Sequence, residues 1–184
     1  MQSTHRKCNV GTERVGNKWA RGYLRKGSDV QVLLPAIATW LAANFELTAT
    51  DYYPQVQFVQ PENMYAIRFG AQGADQPQGT AVDVSRLASR KTWTETEALY
   101  DNASWTIYLL EGWTGATPAE TSVLVHEMVH HLQNVAQLKY ECPQAREELA
   151  YKAQAQWLAR YGRNIKREFG LNPMALLIRT KCMY

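Results

Sequence analysis

The sequence predicts an α+β fold. Helices close the chain, and the segments ahead of them include short runs of β-branched and aromatic residues that read as strands. With 184 residues, 46% of them hydrophobic and 11% aromatic, there is material for one compact core and too little length for two large ones. No internal repeat or long low-complexity tract is visible.

Residues 1–28 come first, as a basic arm with seven Lys/Arg against one acid, Glu13, a formal charge of +6. The other 13 Lys/Arg and 16 acids leave residues 29–184 at −3, so the overall +3 belongs to the arm. We read the arm as a solvated tail and residues 29–184 as a single domain. The arm lacks an early apolar region, so no secretory signal is expected, and cytoplasmic and exported settings both fit. Nucleic-acid binding has little support in a mildly acidic body. The stretch Val30 to Phe45 is interrupted by Gln31, Pro35, Thr39, Trp40 and Asn44, so no integral membrane association is expected.

A helix is expected from about Pro35 to Phe45, with Pro35 suited to its first turn. Gln55–Gln60 reads as a short strand, and Pro61–Phe69 as a helix ended by Gly70. A polar Gly/Gln-rich loop follows over 70–79, then a strand over Thr80–Val84. Trp105–Leu110 has the aromatic and β-branched content of a strand, and Trp113, Thr114 and Gly115 form the loop after it. Thr117-Pro118-Ala119-Glu120 places a hydroxyl at the N-cap, proline at the first helical position and glutamate at the third, which starts the next helix. A long helix is expected from about Gln144 to Phe169, and a short final one begun by Asn172-Pro173.

The capped helix carries the one segment that names a chemistry, His126-Glu127-Met128-Val129-His130. Two histidines four apart project from one helical face and can bind one zinc ion, while the adjacent glutamate can take a proton from water activated by the metal. At about 100° per residue, Val125, Met128, Val129, Leu132, Val135 and Ala136 share the core side. His126, His130, Gln133 and Asn134 lie opposite, with Glu127 at their margin. After Glu120 no lysine or arginine occurs before Lys139, which suits the wall of a cleft better than a solvated face. A lone histidine on such a helix is ordinarily a packing residue; two at ligand spacing around an acid reverse that expectation. His131 points away from the pair.

A catalytic zinc takes three protein ligands and keeps a fourth position open. No histidine follows His131, and Gln133 and Ala136 occupy the glycine and third-histidine positions of HExxHxxGxxH, which excludes that arrangement. On the next helix, Ala150, Trp157, Leu158 and Tyr161 define an apolar face, and Glu147 falls within it beside Gln154. A carboxylate aimed into a packed face needs a compensating partner, and a metal ion supplies one. Glu147 is therefore the expected third ligand. Glu148 lies about 100° round the helix and is the second candidate, although pairing with Lys152 accounts for it as a surface acid. Cys142, between the two helices, is a competing ligand. It can equally pair with Cys182, leaving Cys8 in the arm, or all three thiols can remain free; a disulfide would imply an exported setting.

The stretch from Leu109 to Leu158 resembles the gluzincins, zinc metallopeptidases in which a glutamate on a later helix completes HExxH. It is also similar to small bacterial HExxH proteins with a following glutamate-x-x-alanine-tyrosine pattern. The matching residues are His126, Glu127 and His130, then Glu147, Ala150 and Tyr151. Many gluzincins carry an aspartate four residues after the third ligand; Tyr151 stands there in this chain. The resemblance implies a zincin-like fold, a small sheet with an HExxH helix and a following helix that supplies the glutamate. It also implies that the Trp105–Leu110 strand is an edge able to pair with an extended substrate, the alternative being a wholly buried strand.

On this reading the metal is Zn2+, held by His126, His130 and Glu147, Glu127 is the general base, and the substrate is a peptide or protein. Tyr140, Tyr151 and His131 are candidates for stabilising the oxyanion. The competing accounts are a non-hydrolytic metal-binding or regulatory protein on the same fold, and a hydrolase of another amide. Retention of Glu127 favours catalysis, because a structural zinc needs no base and is closed by a fourth protein ligand.

Overall fold

The computed structural model describes residues 30–48, 50–69 and 98–183. The basic arm with Cys8, the 70–79 loop and the Thr80–Val84 strand lie outside the described residues. The described chain is α+β. Helix α1 (Val30–Asn44) is followed by β1 (Gln55–Val59), α2 (Pro61–Phe69), β2 (Ala98–Asp101) and β3 (Thr106–Leu110). Then come α3 (Pro118–Val135), a 3-10 turn (Pro143–Arg146), α4 (Glu147–Ala159), α5 (Ile165–Phe169) and α6 (Pro173–Thr180). No helix among these residues is long and apolar enough to cross a membrane.

Helix α1 begins five residues earlier than expected, so Pro35 lies inside it. The ring removes one backbone bond, to the Gln31 carbonyl, and both residues are on the exposed side where water can replace the lost donor. Opposite them Leu34, Ile37 and Leu41 are fully buried.

The sheet has the order β1-β3-β2. β1 runs parallel to β3 from Gln55↔Thr106 to Val59↔Leu110, and β2 runs antiparallel from Ala98↔Leu109 to Asp101↔Thr106. The Trp105–Leu110 segment is therefore the central strand and not the edge the resemblance implied. With a neighbour on each side, Ile107 and Leu109 lose all exposure, which is why the run is so apolar. Among the described residues the edge beside α3 is β2, four residues that no sequence pattern marked. Asp101 turns the chain from β2 toward β3 by accepting from the Ala103 and Ser104 amides and the Ser104 hydroxyl.

The start of α3 is fixed from both sides. The Thr117 hydroxyl accepts from the Glu120 amide at 3.1 Å while the Glu120 carboxylate accepts from the Thr117 amide at 3.0 Å, a reciprocal capping box. Glu120 also accepts from the Thr114 amide, and its carbonyl takes the Trp113 indole N–H at 3.1 Å. Gly115 lets the loop pass under that indole: its φ is +68°, and a Cβ there would lie 2.7 Å from the ring. One side of α3, with Val125, Met128, Val129 and Leu132, packs into the core, each large side chain contributing about 1.5–3 kcal/mol by burial. Val135 and Ala136, assigned to the same side, lie at the helix end where cover runs out; Val135 is half-buried and Ala136 exposed.

The long helix expected over Gln144–Phe169 is broken. The 3-10 turn leads into α4, and Gly162, at φ +68°, reverses the chain before Asn164 caps α5 through the Arg167 amide at 2.9 Å. Tyr161, projected onto the apolar face, falls past the end of α4 and is exposed. Ala150, Ala153 and Leu158 pack α4 against α3, and the Trp40 and Trp157 rings meet edge-on at 5.0 Å between α1 and α4. A Cys142–Cys182 disulfide, Cα atoms 5.9 Å apart, ties the segment after α6 to the turn before α4.

Candidate metal centre

Helices α3 and α4 bring His126, His130 and Glu147 together. Glu147 Oε2 stands 3.1 Å from His126 Nε2 and 3.2 Å from His130 Nε2, and the two Nε2 atoms are 3.2 Å apart. Among the described residues this is the cluster whose donors could hold a metal ion. An ion bonded at about 2.0–2.2 Å to tetrahedral ligands separates them by about 3.3–3.6 Å, close to the observed triangle.

The tautomers of both rings follow from the hydrogen-bond network. Gln133 Nε2 donates to the Arg146 carbonyl at 2.9 Å, which fixes the amide so that its Oε1 faces His130 Nδ1 at 3.0 Å. His130 Nδ1 must therefore donate. On the other ring, the Ser122 hydroxyl donates to the Ala119 carbonyl at 2.7 Å, so its oxygen accepts from Gln154 Nε2 at 3.4 Å. Gln154 Oε1 then faces His126 Nδ1 at 3.2 Å, and that nitrogen also donates. Two backbone carbonyls thus place an N–H outward on both rings, and in the neutral form of each ring the Nε2 lone pair points inward, toward the other ring and a carboxylate oxygen. Three electron pairs at such range repel unless a cation or a ring proton lies among them.

Electrostatics sort the two glutamates into different roles. Burial pushes the Glu147 pKa up, but hydrogen bonds and charge from His126 and His130 outweigh it and hold the group far below the usual carboxylate range. Burial pushes the Glu127 pKa up, reinforced by the Glu147 charge; the His126 charge and a backbone bond oppose it. That bond runs from the Tyr100 amide on β2 to Glu127 Oε2 at 2.8 Å. Glu127 makes no contact with the imidazole–carboxylate triangle as a ligand; it lies beside it, on a tether from the edge strand.

The other candidates are distributed as follows. Tyr151 comes to the site, its ring 4.7 Å from that of His126 and edge-on, with burial raising its pKa. Tyr140 is surface-exposed and outside the cavity lining. His131 is fully buried on another side of α3, between the Tyr52 carbonyl at 2.7 Å and the Tyr100 hydroxyl at 3.2 Å, and burial lowers its pKa. Glu148 is exposed and pairs with Lys181 at 2.8 Å, not with Lys152, because α6 brings a nearer ammonium. Cys142 is in the disulfide and offers no thiolate.

Sequence reasoning gave Gln133 and Gln154 no function. The signal was present, since Gln133 lies on the histidine face and Gln154 beside Glu147, but a second hydrogen-bond shell has no spacing rule. A cavity of about 490 Å3 opens over the centre, bounded by β2, α3, α4 and α6 and including the three guanidiniums of Arg68, Arg146 and Arg179. These were also unassigned.

Residues 26–184 match a family described as a domain of unknown function, DUF6647. No curated protein and no solved structure matches the chain.

Proposed function

The chain belongs to the DUF6647 family, and for it we propose a zinc-dependent metallopeptidase of the gluzincin type on a zincin-like fold. The observation that carries this reading is the convergence of two outward-protonated imidazoles and one carboxylate at 3.1–3.2 Å, with a second, tethered glutamate beside them. Two histidines and a glutamate are the donor set of catalytic zinc sites that keep one position open. A structural site would have no use for Glu127.

Zinc held by His126, His130 and Glu147 would supply Lewis acidity toward a carbonyl and make water nucleophilic near neutral pH. Glu127 is the general base: the Tyr100 amide holds Oε2, leaving Oε1 to take the proton of the attacking water. Its raised pKa suits it to return that proton to the leaving amine. Tyr151 stays protonated at neutral pH, its ring lies against that of His126, and on this reading its hydroxyl is the donor to the oxyanion. In the β2–β3 register Tyr100 directs its amide away from β3, so Ala98, two residues earlier, directs its backbone groups the same way, toward the cavity. This favours an extended peptide laid along β2.

The test is metal analysis together with a peptide-cleavage screen. Wild type should bind zinc near stoichiometrically and cleave, Glu147→Ala should lose the metal, and Glu127→Gln should keep it without turnover. Equal zinc content in Glu147→Ala, or cleavage undiminished in Glu127→Gln, would refute the assignment.

A further inference from the structure

Three guanidiniums, from α2, the 3-10 turn and α6, line a cavity whose two carboxylates are both engaged, Glu127 by the Tyr100 amide and Glu147 by the histidine pair. Among the described residues the lining thus holds three arginines and two glutamates. Arg146 is the most telling of the three. Its Nη2 donates to Asn102 Oδ1, a neutral partner, at 3.2 Å, its Nε is sealed from solvent without a hydrogen-bond partner, and no described carboxylate pairs with it. A half-buried guanidinium held this way lacks a counter-charge among the described residues.

Its position is nevertheless fixed. Gln133 holds the Arg146 carbonyl at 2.9 Å, and Asn102 steadies the far end of the side chain. Arg146 directly precedes Glu147 in the chain, and both line the same cavity. A positioned guanidinium with unused Nη hydrogens is built to take a carboxylate.

We propose that this cavity selects substrates carrying a carboxylate, with Arg146 as the residue that recognises it; the proposal rests on the peptidase reading for the substrate being a peptide. The carboxylate can be a C-terminus or an acidic side chain, and both present the same planar anion.

Binding is measured by fluorescence anisotropy on zinc-loaded Glu127→Gln protein, in which turnover is blocked. Three otherwise identical alanine-rich peptides are compared: one with a free C-terminus, one C-terminally amidated, and one amidated with an internal glutamate. At least one acidic peptide should bind about tenfold or more tighter than the neutral one, and the tighter of the two identifies the source of the carboxylate. Adding Arg146→Ala should remove that preference, while Arg146→Lys should keep part of it. Arg146→Gln, which keeps a donor for Asn102, carries the comparison if the alanine variant fails to fold by circular dichroism. Equal binding of all three peptides, binding of none, or a preference surviving loss of the Arg146 charge would overturn the proposal. Failure of the peptidase reading has a different signature: zinc-loaded wild type leaves all three peptides intact while the charge preference persists.

Discussion

Replacing Gln133 by methionine keeps the length and apolar volume of the side chain while removing two buried hydrogen bonds. His130 Nδ1 loses its acceptor at 3.0 Å, and the Arg146 carbonyl loses its side-chain donor at 2.9 Å. Each group left unpaired in a buried place costs about 1–3 kcal/mol, so the metal-free fold should lose roughly 2–4 kcal/mol, with some relief by water at Arg146. The effect on the metal is separate. Without Gln133 the ring is free to move its proton to Nε2, the nitrogen that faces Glu147. Loss of such an orienting partner lowers metal affinity about 10- to 100-fold. Gln154→Met should fall at the lower end of that range, because its two bonds are longer, at 3.2 and 3.4 Å. The two networks meet where both Nε2 atoms face Glu147 Oε2, so the effects should couple and the double variant should depart from the product of the single effects. Competitive titration against a chromophoric zinc chelator measures the affinities, and thermal unfolding of the metal-free proteins measures the first effect. Zinc affinity unchanged within about twofold in both single variants would refute the reasoning from tautomers.

Four further outcomes are expected. Tyr151→Phe should lower kcat about 10- to 1,000-fold while leaving zinc content unchanged, as read by metal analysis and steady-state kinetics; unaltered kcat would remove the phenol from the chemistry. In the metal-free protein the Glu127 carboxyl should titrate above the ordinary glutamate range, because burial raises its pKa, as read by carboxyl-carbon NMR; titration within the ordinary range would contradict it. The same shift has a stability consequence of definite sign: the folded state binds this proton more tightly, so ionisation destabilises the fold as pH rises from about 4.3 through the raised value. Metal-free Glu127→Gln should accordingly melt above wild type at pH 7, and an equal or lower Tm would contradict the sign. Replacing Cys142 and Cys182 by serine opens a loop of sequence separation 40 and should cost up to about 4 kcal/mol in denaturant titrations, whereas Cys8→Ser serves as the control.

What was legible in the chain was local. Thr117, Pro118 and Glu120 declare the start of α3 because a cap satisfies its donors within four residues, and the four-residue spacing puts both histidines on one face. Glu147 could be singled out because a carboxylate projected onto an apolar face demands an explanation. Strand β2 could not, since Ala98-Leu99-Tyr100-Asp101 is too short for alternation to register and owes its conformation to β3. The same holds for the pairing of Glu148: it takes Lys181 over Lys152 because α6 folds back, a tertiary event. The break at Gly162 was readable in principle, as glycine followed by Asn164 is an end and a new cap, but apolar periodicity across the junction masked it.

The Cys142–Cys182 bond closes a covalent ring of chain, and that ring contains Arg146, Glu147, Tyr151, Gln154 and Arg179 but neither His126 nor His130. The centre therefore lies on a seam, with one ligand inside the loop and two on a helix outside it. A bound ion would rivet the two parts together, and its removal should loosen that seam before either part comes undone. A single protease nick anywhere between the two cysteines would leave both fragments linked through sulfur, and only a reductant would separate them.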